Sequence, residues 1–262
     1  MFKACWCCFT LICLLWSYPA HAGPIAQRVA DFPDWHTKPA VSVAQGDLIY
    51  PHWFLGEWSV TSTLVDLAAP LAPAIVTPGF DRHRPDLNQP IVFPVRFVTA
   101  APLADRKSVI PTVRTQPIAP NVVADRAFNG LSLSRAYLGD RAVLSVQVDP
   151  AAPNRQITTL RQNRQLVAIV TGRATETPTP EEFLTTEVSQ QIFRGLSQPY
   201  LNEVETTTAY RYRDADRQHP IQADQITAIY LSPQDPEYFK AGNQPVALYR
   251  YHLDFSPLEV KI

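Results

Sequence analysis

The 262 residues carry 23 basic and 24 acidic side chains, 25 prolines, 9 glycines and 4 cysteines. All four cysteines (Cys5, Cys7, Cys8, Cys13) fall near the start, which excludes disulfides, thiolate metal sites and thiol nucleophiles from everything after them. The near-neutral balance offers no concentrated basic face, so nucleic acid is not an expected partner.

Lys3 is a positive n-region, residues 4–16 are an apolar core, and Ala20-His21-Ala22 is a small-x-small pattern. Residues 1–22 therefore read as a secretory signal cut after Ala22. The apolar run is shorter than the ~20 residues that cross a bilayer, and Pro19 interrupts it. Cys13 follows Ile12 rather than a small residue, which argues against a lipid anchor. Nothing after Ala22 is apolar over enough length to span a membrane, so the mature chain is expected to be exported and not an integral membrane protein.

Residues 23–51 read as an irregular leader laid over the body, with a short helix over 26–32, prolines at Pro33, Pro39 and Pro51, and Trp35 as its pin. Residues 52–262 read as one β domain. Alternation over 56–65, with Trp58, Val60, Ser62 and Leu64 on one face, has the period of a half-buried strand. Residues 90–99 repeat the pattern with Ile91, Phe93, Val95 and Phe97, and Pro94 on the other face marks an edge or a bulge.

Further strands are expected at 131–138, 142–148, 156–161, 166–173, 202–213, 225–231 and 245–255. Gly139-Asp140 and the stretch at 163–165 would turn two hairpins. Thr179-Pro180-Glu181-Glu182 has a cap, a first-position proline and a third-position glutamate, which predicts a helix giving way to strand across 185–193. The sum is a mainly β fold. It is expected to be a single antiparallel barrel of about 8–10 strands with one or two short helices, the alternative being a β-sandwich.

In Trp53-Phe54-Leu55-Gly56-Glu57-Trp58, Gly56 and Trp58 resemble the G-x-W that opens the first strand of lipocalins and other calycin barrels. That resemblance implies a tryptophan closing one end of the barrel beneath an arginine from a late strand, with Arg250, Arg211 and Arg213 as candidates. Such a contact contributes about 1 kcal/mol when partly desolvated. Gly56 would permit close approach where the strand enters. Trp53, Gly56, Trp58 and Arg250 are accordingly the candidate ligand-binding and barrel-closing residues. A buried tryptophan on an ordinary sheet is the alternative.

The connection over 66–89 is long, and Leu67, Leu71, Ile75, Val76 and Phe80 make it too apolar for disorder. Phe80 with Arg82, His83 and Arg84 forms a candidate partner-docking patch, a solvated charged turn being the alternative. No histidine spacing matches a metal site, and Ser132 and Ser134 do not sit in G-x-S-x-G. Glu203 and Glu205 share a strand face without a catalytic motif. No catalytic residue, metal or cofactor is assigned, and a non-enzymatic protein is expected.

Taken together, Gly46-Asp47-Leu48-Ile49-Tyr50-Pro51, the stretch over 53–63, Val76-Thr77-Pro78-Gly79-Phe80 and Pro94-Val95-Arg96-Phe97 resemble an uncharacterised family of secreted cyanobacterial proteins with plastid counterparts in plants. The resemblance runs over most of the mature chain and carries over no catalytic residue. It implies a thylakoid-lumen or periplasmic location. The expected role is an accessory protein that binds an apolar small molecule such as a pigment, quinone or lipid. The alternative is a module that docks on a photosynthetic membrane complex, and an enzyme comes third.

Overall fold

The computed structural model describes residues 22–100, 120–195 and 198–258. The segment read as an export signal lies outside the described residues apart from Ala22. The leader supplies helix α1 (Pro24–Ala30) and a short strand β1 (Ser42–Val43). Strands β2 (Gly56–Ala68), β3 (Pro90–Thr99) and β4 (Val122–Ala124) come next, followed by helix α2 (Arg126–Leu138). Then come β5 (Val143–Asp149), β6 (Ala152–Leu160), β7 (Arg164–Glu176) and β8 (Glu182–Arg194). β9 (Tyr200–Tyr212), β10 (Ile221–Leu231), helix α3 (Tyr238–Ala241) and β11 (Ala247–Pro257) complete the fold.

One antiparallel sheet holds these strands in the order β4-β3-β2-β11-β10-β9-β8-β7-β6-β5, with β1 on the side of β7. From β5 to β11 it is an unbroken meander, and β11 then pairs with β2, opposing Phe255 to Val60 and Leu253 to Ser62. The two edges, β4 and β5, are joined in the chain by α2. That helix packs on β3 at one edge and on β5 and β6 at the other. The result is a half-barrel curled around its interior rather than a two-layered sandwich, with α2 across the opening.

Period-two alternation decides which side chains face inward. Trp58, Val60 and Leu64 from β2 and Phe93, Val95 and Phe97 from β3 are buried, and all but Leu64 share one core with Tyr210, Ile221, Ala223, Leu253 and Phe255. Phe54, 0% exposed, stands at the centre of its ring packing. Its centroid is 4.7 Å from Phe97, 4.9 Å from Tyr50 and 5.0 Å from Tyr210. Pro94 lies where β3 has β2 on one side only, because β4 reaches just Phe97 to Thr99, so its missing N–H interrupts no ladder.

Two expected elements are corrected. Residues 131–138, with Leu131 and Leu133 alternating against Ser132 and Ser134, are not a strand but the second half of α2. Asp125 caps that helix, its carboxylate accepting the Phe128 N–H at 3.0 Å. The Gly139-Asp140 hairpin falls with it. No helix starts at Thr179: one turn, Glu182 N–H to Thr179 O at 3.2 Å, leads directly into β8. The β-branched run at Thr185, Thr186 and Val188 pairs on both sides, with β7 and β9, and that double ladder outweighs a local cap.

The leader is fixed to the outer face of the sheet. Trp35 packs with Ile226, Ala228, Tyr230 and Leu248, and its indole N–H donates to the Arg28 carbonyl at 2.8 Å. Arg28 forks onto the Glu205 carboxylate at 2.5 and 2.7 Å, and its guanidinium lies 3.8 Å over the Trp35 ring. Glu205 also accepts from Tyr230 at 2.8 Å and Thr207 at 2.7 Å, which satisfies a carboxylate that is 0% exposed. Lys38 reaches Glu203 at 2.6 Å, so both carboxylates of the Glu203/Glu205 face are neutralised by the leader.

Candidate functional site

A cavity of about 340 Å³ lies inside the half-barrel, between the curled sheet and α2. Its floor is apolar and ring-rich, with Val60 from β2, Phe93, Val95 and Phe97 from β3, and Leu253 and Phe255 from β11. Its roof is one stripe of α2, namely Arg126, Gly130, Leu133 and Tyr137, spaced as a single helix face requires. Gln156, Glu187, Tyr210 and Gln225 line it from the strands, and Tyr50 from the segment before β2. Two other depressions, along 40–45 against 173–175 and beside the turn after α2, lie outside this core.

The start of α2 is fastened to β3 beyond the reach of β4. The Asn129 side chain accepts the Arg96 N–H at 2.6 Å and donates to the Arg96 carbonyl at 3.0 Å, so one side-chain amide continues the ladder. Arg96 returns two bonds to Asp125, at 2.6 and 3.1 Å. On the other edge the fit depends on Gly130. A Cβ there would stand 2.7 Å from Gln156 Nε2 and 3.0 Å from Val146 Cγ1, so glycine lets the helix approach β5 and β6.

Burial disfavours the Asp125 carboxylate, but the Phe128 N–H and the Arg96 guanidinium outweigh it and hold its pKa below the ordinary carboxylate value. The folded state thus favours the charged form. Its contribution is present above about pH 4 and is lost as pH falls through the lowered folded value. Urea unfolding of Asp125→Ala at neutral pH is expected to show a loss of about 1 kcal/mol. Asp125→Asn, which keeps a capping oxygen, should lose less and flatten the acid side of the stability profile.

The aromatic hydroxyls around the cavity stay protonated. Burial pushes Tyr210 up to about 12, and burial pushes Tyr50 well above its usual value. Glu187 is held by Arg173, whose Nη2 is 2.7 Å and Nε 2.8 Å from the same oxygen. At the far end of the helix face the Tyr137 hydroxyl is 3.2 Å from Ser62 Oγ.

The residues expected at a site are only partly brought together. Trp58 is buried in the core, and its indole N–H donates to the Phe54 carbonyl at 2.8 Å. Among the described residues no arginine stacks over it. Trp58 pairs with Pro257, whereas Arg250 pairs with Asp66 toward the other end of the seam, lies 5.7 Å over the Phe32 ring and is 3.6 Å from Asp224. Arg211 instead reaches Glu182 at 3.6 Å. The end beside Trp58 is covered by Trp53, stacked on Phe54 at 4.2 Å and on Tyr212 at 5.5 Å, with its N–H 3.1 Å from the Pro180 carbonyl. Gly56 has open space where a Cβ would go, so close approach is not its role; its φ of +127° is what suits glycine.

The 66–89 connection is folded onto the body through a few buried side chains. β2 runs into it as far as Ala68, Ile75 packs with Ala241 and Val246, and a 3-10 helix covers Phe80–Asp86. Phe80 is buried near Tyr249, while Arg84 pairs with Asp81 at 2.8 Å and His83 with Asp86 at 3.3 Å, so much of this charge is spent within the turn. Arg82 is exposed. Sequence reasoning missed the roof of the cavity altogether, although Asp125 as a cap and the 126/130/133/137 spacing were there to find it.

An antiparallel half-barrel roofed by a capped helix, with a ring-lined interior, is the class that fold and site define. The chain belongs to the family described as Domain of unknown function (DUF6816), whose model matches residues 42–259 and so spans every residue lining the cavity. No curated protein and no solved structure matches the chain.

Proposed function

We propose that this protein binds a small, largely apolar molecule inside the half-barrel, beneath α2, and acts as a carrier or accessory protein outside the cytosol, in the thylakoid lumen or the periplasm. One observation carries the reading. No residue of α2 is buried, and its Leu133 and Tyr137, 42% and 44% exposed, line the cavity. A helix that holds apolar side chains over an interior cavity suits an apolar occupant, and 340 Å³ falls at the lower end of small-molecule sites. Pigment, quinone and lipid fragments are the classes that suit such walls. Among the described residues no helix is long and apolar enough to cross a membrane.

Nile red, a neutral apolar dye, is expected to bind saturably with enhanced, blue-shifted emission. Leu133→Trp, which puts an indole into the vacant space, should abolish that signal while leaving the unfolding midpoint in place. Equal dye binding by both proteins, or none by the wild type, would remove the reading. A second reading, docking on a photosynthetic membrane complex, is favoured by Phe239 and Val76, which are 90% and 77% exposed. They flank the point where Lys240 Nζ donates to the Ala74 carbonyl at 2.6 Å.

A further inference from the structure

The cavity is not uniform along α2. Its charged lining residues are Arg126 and Glu187, and they differ in what they already hold. Glu187 is neutralised by Arg173. The nearby Asp125 carboxylate is neutralised by Arg96. Arg126 donates only to the Pro153 carbonyl among the described residues and has no acidic partner there. Among the described residues it is therefore the charged lining residue without an ion-pair partner.

Neutral donors gather at the same end. Gln156 lies on β6, the strand that Arg126 reaches at Pro153, and its amide stands beside Gly130, one turn along α2 from Arg126. Neither the Gln156 amide nor the Tyr50 hydroxyl makes a side-chain hydrogen bond to another described residue, and both line the cavity. Farther along the helix face come Leu133 and, on the floor, Phe93 and Phe255, whereas Phe97 lies at the Arg126 end, paired with Ala124 and with its ring 4.8 Å from Tyr50. Among the described residues the interior thus joins one unpaired cation with spare donors at the Arg126 end to apolar walls around Leu133, while the Tyr137 and Ser62 hydroxyls at the far end are 3.2 Å from each other.

Resting on the carrier reading above, we infer that the occupant is an amphiphile whose polar end is a carboxylate, bound to Arg126 and assisted by Gln156 and Tyr50, with its apolar body on the phenylalanine floor. A guanidinium meets a carboxylate through two parallel N–H bonds, and one such pair balances one charge. A phosphate dianion would be left half neutralised in a site whose described residues offer a single free cation.

The test compares decanoic acid with decanol by isothermal titration calorimetry at neutral pH, since the two share an apolar chain and differ at the end group. Wild-type protein is expected to prefer the acid by about tenfold or more, the range of a charge-assisted pair. Arg126→Gln should bring the ratio near one by weakening the acid alone, and Arg126→Lys should retain part of the preference. Equal wild-type affinities, or an acid preference that survives in Arg126→Gln, would overturn the inference and leave the carrier reading standing. If neither compound binds, both fail.

Discussion

Arg28→Ala is expected to destabilise the folded protein by about 3–5 kcal/mol, because it strands the Glu205 carboxylate in a site with no access to water. The geometry sets the size of the effect. Two of the four bonds that Glu205 receives come from one guanidinium, and the Tyr230 and Thr207 hydroxyls alone do not balance a full charge. The same substitution removes the cation from the Trp35 face and a donor from the Thr37 carbonyl, loosening the leader from β9. Replacing both partners, Arg28→Met with Glu205→Leu, should recover most of the loss, since apolar groups of similar volume fill such sites at little cost. Urea unfolding of the two single variants and the double variant closes the cycle. A loss under 1 kcal/mol in Arg28→Ala would mean that the leader does not hold Glu205 in solution.

Phe54→Ala should lower stability by a similar amount, about 3–5 kcal/mol, through the void it leaves among rings. On the scale of a domain this size that is a fall in Tm on the order of 10 °C, measurable by differential scanning calorimetry. Phe54 does not itself line the cavity, but it packs directly behind Tyr50, Phe97 and Tyr210, which do. Nile red affinity is therefore expected to fall as well. Trp53→Ala, at the half-buried rim of the same stack, should cost clearly less.

Most of the sheet was legible in the chain because alternation reports burial directly. The strand expected over 90–99 matches β3, and the one expected over 56–65 is the first part of β2. The short leader helix and the pinning role of Trp35 were also legible, as a large indole in a proline-rich stretch has few other places to go. What misled was local chemistry that longer-range pairing overrides. Leu131 and Leu133 alternate with serines in the rhythm of a strand, but the segment has no strand partner and begins at a capping Asp125. Thr179 and Pro180 look like a helix start, yet the thirteen residues of β8 have ladders waiting on both flanks.

The candidate site was less legible than the fold. Trp53 and Trp58 were noticed as aromatics, but which ring seals the end depends on Tyr212 and Pro180, far along the chain. The resemblance offers Arg250, Arg211 or Arg213 to Trp58, and the β11 register sends Arg250 elsewhere. The cavity residues Arg126, Gln156 and Glu187 come from α2, β6 and β8 and carry no shared motif. Only folding assembles them.

The seam between β2 and β11 has a consequence for biosynthesis. The strand that slots between β10 and β2 follows every other described strand in chain order, so β2 has one flank unmatched until β11 docks. Closure of this seam joins distant stretches of chain and is slow in the way of such contacts. A polypeptide interrupted before β11 would expose two naked sheet borders in its middle, a template for clumping with its own kind.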